Sequence, residues 1–264
     1  MKISVIMPSY NQVDFIEKSI QSVVNQNYPD LEFILMDGGS TDGSVELIKK
    51  YSQHFSHWQS EKDDGQSAAI NAGMARATGA ICCWLNSDDL LAPRALEKVE
   101  KFFNSNPDEE WLIGHGVFQE ADGKLIQNKN PNGTSFEDFV DWQNNGINQP
   151  SVFWRKELWE KVNGLDGRLN FVMDYDLWLK FAQVKPAAKL DDILGITVFH
   201  DDMKTQVNNA EMYVEHALVL AKHNCIEEGF NHIVRPVKRA FELDHKLSFI
   251  TKNRFYRKWR DKNV

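Results

Sequence analysis

The 264-residue sequence predicts an α/β fold in which a mostly parallel sheet is flanked by helices. Three observations support this class. Strand-like and helix-like segments alternate four times in the first hundred residues. Two of the strand-like segments are almost wholly apolar, which is typical of strands covered on both faces. Polar clusters follow each of the four strands, where open parallel sheets bind their ligands.

The first strand and the first helix are predicted from two different spacings of apolar residues. Residues 2–7 are rich in β-branched side chains and alternate, which predicts a strand that ends at Pro8. Apolar residues then recur at helical spacing over 13–24, and Pro29 ends the predicted helix.

The second pair begins with a buried strand. Residues 31–36 are apolar apart from Glu32, and a turn rich in Asp and Gly follows them. A helix is predicted over 44–52, with Thr41 or Asp42 as its expected cap.

The next two pairs complete the repeat. A short strand is predicted over 58–61 and an Ala-rich helix over 66–77. A buried strand over 80–85 and a helix opened by Pro93 follow.

The second half is less regular. Asn, Gly and Pro clusters over 106–150 predict hairpins and a loop. Strands are then predicted over 151–155 and 190–199, with helices over 156–162, 174–184 and from Val207 onward. We expect two domains: residues 1–205, which divide into halves at 1–105 and 106–205, and a helical C-terminal extension over 206–264.

Composition excludes several classes of protein. Hydrophobic residues make up 42% of the chain and charged residues 26%, so extensive disorder is not expected. The net charge of −8 argues against nucleic-acid binding. No apolar run approaches the roughly 20 residues of a membrane span, and no secretory leader is visible. Three Cys fit neither a disulfide framework nor a zinc site, so we expect a cytoplasmic protein.

The last nineteen residues carry a local positive charge. Residues 246–264 contain seven basic side chains and one acid, interleaved with aromatic residues. This pattern suits peripheral contact with an anionic membrane surface. A solvated terminal helix whose aromatic residues pack on the body of the protein is the alternative.

Polar residues after the strands are the candidate ligand-binding groups. Asn86, Ser87, Asp88 and Asp89 follow an apolar strand, and their oxygens suit a hard divalent cation, although a turn that caps the next helix would use the same residues. The sequence has neither a dinucleotide-binding nor a Walker glycine loop. A carboxylate at Asp37 suits a base N–H or a ribose hydroxyl.

Several motifs, taken together, resemble family 2 glycosyltransferases of the GT-A fold, and the resemblance covers about residues 1–205. The motifs in the first half are SVIMPSYN at 4–11, DGGSTDG at 37–43, DGQSAAINAG at 64–73 and WLNSDD at 84–89. Those in the second half are NQPSVFWR at 148–155, GLD at 164–166, MDYDLWLK at 173–180 and FHDDMKT at 199–205.

The resemblance implies that residues 1–105 bind the nucleotide-sugar and residues 106–205 the acceptor, and it implies a role for individual residues. Asp174 is implied to be the catalytic base, and Asp88, Asp89 and His200 are implied to hold Mn²⁺ or Mg²⁺. The residues implied to bind the donor are Pro8, Tyr10, Asn11, Asp37, Asp64, Asn86, Ser87 and Lys204. Two positions depart from the family's pattern: Asn86 replaces the first Asp of the Asp-x-Asp motif, and Met173 replaces a Glu.

The function implied is that of a metal-dependent, inverting glycosyltransferase. The donor would be a nucleotide-sugar, with a UDP-sugar expected by analogy, and the acceptor a hydroxyl of a glycan or lipid-linked glycan in surface polysaccharide or lipopolysaccharide synthesis. Because the sequence lacks the Gln-x-x-Arg-Trp motif of processive synthases, transfer of single sugars is expected. The alternatives are a catalytically weak nucleotide-sugar-binding module and a nucleotidyltransferase that acts on a sugar phosphate.

Overall fold

The computed structural model describes residues 1–141, 146–200, 203, 209–229 and 231. The chain divides into two compact units, Met1–Val207 and Asn208–Val264. The strands are β1 (Ile3–Ser9), β2 (Leu31–Asp37), β3 (His57–Ser60), β4 (Ile81–Trp84), β5 (Leu90–Leu91), β6 (Trp111–Glu120), β7 (Leu125–Lys129), β8 (Val152–Arg155) and β9 (Ala188–Phe199). The helices are α1 (Ile16–Val24), α2 (Ser44–Lys50), α3 (Gln66–Arg76), α4 (Ala95–Ser105), α5 (Phe136–Val140), α6 (Lys156–Lys161), α7 (Met173–Val184) and α8 (Asn209–Lys222).

The described strands form one sheet in the order β3-β2-β1-β4-β8-β6-β9-β5, and β7 pairs with β6. The first four strands in this order are parallel. The second half adds antiparallel pairs, β4 with β8, β6 with β8 and β5 with β9, and one parallel pair, β6 with β9. The predicted α/β class is therefore confirmed, and the parallel character is concentrated in the first hundred residues.

The elements of the first half lie within a few residues of their predicted bounds. Two details differ, namely the strand β5 and the N-cap of α2. The two-residue strand β5 was not predicted, because Leu90 and Leu91 are too few to show a period. Residues 111–129 fold as the hairpin β6–β7, which lies in the segment predicted to hold hairpins. Gly43 is the N-cap of α2, so neither Thr41 nor Asp42 occupies that position.

Helix α3 packs closely against the parallel strands. A Cβ atom on Gly73 would lie 2.6 Å from a methyl carbon of Ile6 in β1 and 3.3 Å from the side chain of Met36 in β2. Such a distance is shorter than carbon atoms tolerate, so glycine permits the close approach of helix and sheet. The second half of α3 is thereby held against β1 and β2.

Tryptophan side chains join the two halves of the sheet. The Trp84 ring lies 5.6 Å from the Trp154 ring of β8 and 5.5 Å from the Trp178 ring of α7. Trp111 of β6 stacks on Trp178 at 6.0 Å, and Trp154 stacks on Trp159 at 5.7 Å. All five rings are buried, so core packing accounts for them. Their burial and mutual contacts stabilise the junction between the parallel and antiparallel parts.

The second unit contains helix α8, in which Val219 and Leu220 are buried and Val214 and Leu218 are exposed. Among the helices of the described residues, none has the length and apolar character that crossing a membrane requires. The basic segment 246–264 lies outside the described residues.

Candidate functional site

The site is built on the edge where β1, β2 and β4 end. These three strands are parallel neighbours, so the residues that follow them share one rim. The Gly38 N–H donates to the Ser9 carbonyl oxygen at 2.9 Å, which joins the ends of β1 and β2. Pro8 is buried within β1, opposite Met36 of β2.

The loops after β1 and β2 are tied together by side chains. Asn11 adopts a left-handed conformation, its backbone N–H donates to the Ser40 Oγ at 2.8 Å, and its Oδ1 accepts from the Thr41 N–H at 2.9 Å. The Asp42 carboxylate accepts from the Val13 N–H at 2.9 Å. Tyr10 lies beside these contacts with 62% of its surface exposed, so a rigid rim presents an accessible aromatic ring.

Asp37 is enclosed by its own turn. It is 1% exposed, and its carboxylate accepts from the N–H groups of Gly39 and Ser40 and from the hydroxyls of Ser40 and Ser60, at 2.5 to 3.1 Å. These four hydrogen bonds organise the turn. They leave little capacity for a nucleoside, so the predicted donor contact of Asp37 stays a prediction.

Asp63 carries the carboxylate nearest to this turn. Its oxygens lie 3.1 Å from the point that a Cβ on Gly38 would occupy, and its Oδ1 accepts from the Gly65 N–H at 2.8 Å. The neighbouring Asp64 is exposed and receives no hydrogen bond from the described residues. The predicted donor contact of Asp64 stays a prediction, and Asp63 is a second carboxylate at this turn.

Asp88 and His200 form the polar pair at the end of β4. The His200 Nε2 lies 3.2 Å from the Asp88 Oδ2. The His200 ring stacks on Phe15 with 4.1 Å between ring centroids, which fixes its orientation. A carboxylate and an imidazole suit a divalent cation that takes its other ligands from substrate phosphates. The described residues hold no group of three His, Cys, Asp or Glu that encloses a metal by itself.

Asp89 points into the protein. It is 6% exposed, and its carboxyl group lies within hydrogen-bonding reach of the Asn86 Nδ2, the Thr197 hydroxyl and the Val198 backbone. Burial, and next the negative charge of Asp88, raises the pKa of Asp89 well above its ordinary value. The side chain anchors the turn to β9, and its predicted metal contact stays a prediction. Ser87 is also buried, and its carbonyl oxygen accepts from the Ser19 hydroxyl at 2.9 Å.

Asn86 lies in a network of amides. Its Oδ1 accepts from the Gln66 Nε2 at 2.9 Å, and its Nδ2 donates to the Gln149 Oε1 at 3.2 Å and to Asp89 at 3.3 Å. Asn148 is 2% exposed, and its Oδ1 accepts from the Thr197 hydroxyl at 2.8 Å. The network thus connects α3, β4 and β9.

Asp174 is half-buried in the first turn of α7, where its Oδ1 accepts from the Tyr175 N–H at 2.8 Å. Burial raises the pKa of Asp174 to about 6, against the lowering effect of the backbone N–H groups at the helix start. A carboxyl group with such a pKa can accept a proton near neutral pH. Asp176, two residues on, is fully buried and pairs with the Lys180 Nζ at 2.8 Å, which gives it a structural role.

Helix α3 brings the segment before Asp174 to the rim. The Asn71 Nδ2 donates to the Leu165 carbonyl oxygen at 3.0 Å, and the Asn71 Oδ1 accepts from the Leu165 N–H at 3.1 Å. One turn nearer the helix start, the Ser67 hydroxyl donates to the Leu169 carbonyl oxygen at 3.3 Å. The chain therefore runs along α3 towards Gln66, which contacts Asn86 at the rim.

Sequence reasoning assigned no role to Gln66, Asn71, Asn148 or Gln149. They lie within the segments 64–73 and 148–155, and the resemblance of these segments to the family is the sequence feature that points to them. Their contacts join residues 20 to 94 positions apart, so no local pattern reveals them. Lys204, predicted to lie near the donor phosphates, is outside the described residues.

A cavity of about 430 Å³ lies beside Asp88. Its walls include Asp14, Lys18, Gln119, Asp122 and Asp88. Tyr10, Asp37 and Asp174 are not among the residues that line this cavity.

Comparisons with known proteins agree with this arrangement. A family model described as glycosyl transferase family 2 matches residues 4–162. An uncharacterized glycosyltransferase of Nostoc sp. is 28% identical over 176 residues, which are 63% of this chain and 54% of that protein. The chain thus spans about half the length of this relative.

Two solved structures share the fold. TarS 1-349 of S. aureus in complex with UDP-GlcNAc has a TM-score of 0.67 and 16% identity, over 98% of this chain and 78% of that one. The mannosyltransferase PcManGT from Pyrobaculum calidifontis, in complex with GDP-Man and Mn²⁺, has a TM-score of 0.62 and 17% identity, over 98% of this chain and 82% of that one. The predicted GT-A fold is confirmed, and with the match over residues 4–162 the chain belongs to glycosyl transferase family 2.

Proposed function

We propose that the protein transfers a single sugar from a nucleotide-sugar to a hydroxyl group of a glycan or a lipid-linked glycan, with inversion at the anomeric carbon. The observation that carries the proposal is the environment of Asp174, which is its burial, its raised pKa and its place at the start of α7. Asp174 is a half-buried carboxyl group with a pKa of about 6 at the start of α7. The segment before it is hydrogen-bonded to α3, and the same helix contacts Asn86.

Asp174 acts as the general base in this proposal. Its carboxylate takes the proton of the acceptor hydroxyl as that oxygen bonds to the anomeric carbon. The bond between the anomeric carbon and the diphosphate oxygen breaks at the same time, and its electron pair leaves with the nucleoside diphosphate. Attack from the face opposite the leaving group inverts the anomeric carbon.

Asp88 and His200 would hold a divalent cation, Mn²⁺ or Mg²⁺. The bound cation would supply positive charge for the departing diphosphate. The contact between the Asp88 Oδ2 and the His200 Nε2, and the stacking of His200 on Phe15, support this assignment because they orient one oxygen and one nitrogen ligand together. The Mn²⁺ in the mannosyltransferase of the same fold supports it independently.

The nucleoside of the donor is proposed to bind at the ends of β1 and β2. Tyr10 offers an exposed ring for stacking, and Asp63 offers a carboxylate beside Gly38 for a base N–H or a ribose hydroxyl. UDP is the proposed nucleotide, supported by the UDP-GlcNAc complex of the TarS neighbour. The acceptor is proposed to belong to surface polysaccharide or lipopolysaccharide synthesis, at the inner face of the cytoplasmic membrane.

A screen of nucleotide-sugars by thermal shift, with and without Mn²⁺, tests the donor and the metal together, because a ligand raises the melting temperature by mass action. Release of nucleoside diphosphate from the best donor then tests transfer. Binding without release in the presence of glycan acceptors would favour the binding-module alternative. Release of inorganic pyrophosphate from a nucleoside triphosphate and a sugar phosphate would favour the nucleotidyltransferase.

A further inference from the structure

The amide group of Gln149 has a fixed orientation. Its Nε2 donates to the Trp84 carbonyl oxygen at 3.0 Å. A backbone carbonyl can only accept, so the nitrogen of Gln149 must face Trp84 and its oxygen must face away. That oxygen accepts from the Asn86 Nδ2 at 3.2 Å.

The orientation of Asn86 follows from that of Gln149. The Asn86 Nδ2 must face the Gln149 Oε1, and it also donates to the Asp89 Oδ2 at 3.3 Å. Both of its hydrogens are thus used. The Asn86 Oδ1 is left to accept from the Gln66 Nε2 at 2.9 Å. The atom that would bind a metal ion therefore already accepts one hydrogen bond from α3.

We propose that Asn86 is a positioning residue that holds the Asp88–Asp89 turn through this network, and that the network requires an amide, not a carboxylate, at position 86. The inference rests on the proposed function, in which the Asp88–Asp89 turn holds the donor and its cation. It differs from the role implied by the resemblance, in which residue 86 occupies the first ligand position of Asp-x-Asp.

A carboxylate at position 86 has no favourable arrangement in this network. One of its oxygens would replace the Asn86 Nδ2 and would face the Gln149 Oε1, which can only accept. Gln149 cannot relieve the repulsion by turning its amide, because its oxygen would then face the Trp84 carbonyl. The Asp-x-Asp pattern is therefore incompatible with Gln149 in this protein.

The substitution Asn86→Asp distinguishes a positioning role of residue 86 from a role as a metal ligand. If Asn86 positions the turn, the melting temperature without metal falls by about 4 °C, and calorimetric titration of Mn²⁺ in the presence of UDP gives an affinity that is unchanged or weaker. Asn128→Asp, which adds the same charge on the exposed strand β7, is the control and leaves both values unchanged. An affinity for Mn²⁺ at least threefold tighter in Asn86→Asp, or an unchanged melting temperature, overturns the proposal.

A double-mutant cycle tests the contact itself. Gln149→Met removes the acceptor that would face the new carboxylate at nearly the same volume, so Asn86→Asp lowers the melting temperature less in the Gln149→Met background than in the wild type. Equal effects in both backgrounds overturn the proposal. If Asn86→Asp alone does not fold, folded protein from the double variant is the expected rescue, and its failure to fold overturns the proposal too.

The cycle needs no turnover, so it separates this proposal from the proposed function. A wild-type protein that releases no nucleoside diphosphate from any donor contradicts the function. The melting temperatures of the cycle still decide whether position 86 requires an amide.

Discussion

The indole of Trp178 stacks on that of Trp84 with 7° between the ring planes and 5.5 Å between their centroids. Trp84 ends β4, two residues before Asn86, and Trp178 lies one helical turn after Asp174 on the same face of α7. The stack therefore fixes the helix that carries Asp174 against the strand that leads to the rim.

Replacement of Asp174 by Asn removes the proposed base while keeping the shape of the side chain. We expect kcat for sugar transfer to fall by roughly 10²- to 10⁴-fold, whereas donor affinity measured by calorimetry changes little. Glu157→Gln, an acid-to-amide change at an exposed position of α6, is the matched control and retains activity. A variant at position 174 with wild-type kcat would exclude Asp174 as the base.

The pH dependence of transfer follows from the raised pKa of Asp174. The base must be ionised, so kcat/KM should increase with pH up to about 6 and then level off. Below that value it should decrease by about tenfold for each pH unit. Steady-state rates from pH 4.5 to 8 measure the acidic side of this pH profile. Donor affinity measured over the same pH range shows how much of the change comes from ionisation of the donor phosphates. A rate independent of pH between 4.5 and 7 would contradict the assignment.

Asn71 positions the segment that precedes Asp174, because it holds both backbone polar groups of Leu165. Asn71→Ala leaves these groups unpaired and should lower the free energy of unfolding by about 1–3 kcal/mol. We also expect kcat to fall by roughly tenfold with little change in the KM for the donor, since displacement of a reacting group affects the chemical step most. Asn104→Ala on the exposed face of α4 is the control. A change confined to KM would argue against a positioning role.

His200 is the proposed nitrogen ligand of the cation. His200→Ala should raise the Mn²⁺ concentration for half-maximal transfer by about tenfold or more, because the ion loses its proposed nitrogen ligand. His54→Ala, at an exposed position of the first unit, should leave that concentration unchanged. The measurement is a Mn²⁺ titration of the initial rate at saturating donor. An unchanged requirement in His200→Ala would remove His200 from the proposed metal site.

The basic segment 246–264 is proposed to bring the enzyme to a lipid-linked acceptor. A protein shortened to residues 1–245 should bind vesicles of anionic phospholipid more weakly than the full chain, and the difference should shrink as salt is added. Transfer to a soluble acceptor should be retained. Co-sedimentation with anionic and neutral vesicles measures the effect, and equal sedimentation of both proteins would refute the proposal.

Much of the fold could be predicted because its signals are local. The buried strand 31–36 and the amphipathic helix after Val13 show their periods within a few residues, and the structure places β2 and α1 there. The alternation of strands and helices then predicts the parallel sheet. The order of the antiparallel strands was not predictable in this way, because β6 pairs with β8 and β9 across long loops.

The candidate site was predictable in its position and less so in its contacts. The rim follows from the ends of the parallel strands, so the loops after β1, β2 and β4 were found from sequence alone. The burial of Asp37 in its own turn and the engagement of Asn86 by Gln149 depend on side-chain directions and on tertiary neighbours. The sequence could place these residues at the rim and could not tell which of their atoms remain available.

The tryptophan cluster makes the protein its own spectroscopic probe. Five of the eight indoles, contributed by β4, β6, β8, α6 and α7, lie in one stacked group. The near-ultraviolet circular dichroism of this group depends on the contact between the parallel and the antiparallel parts of the sheet. Separation of these parts during denaturation would therefore change the near-ultraviolet signal before the far-ultraviolet signal of the helices is lost.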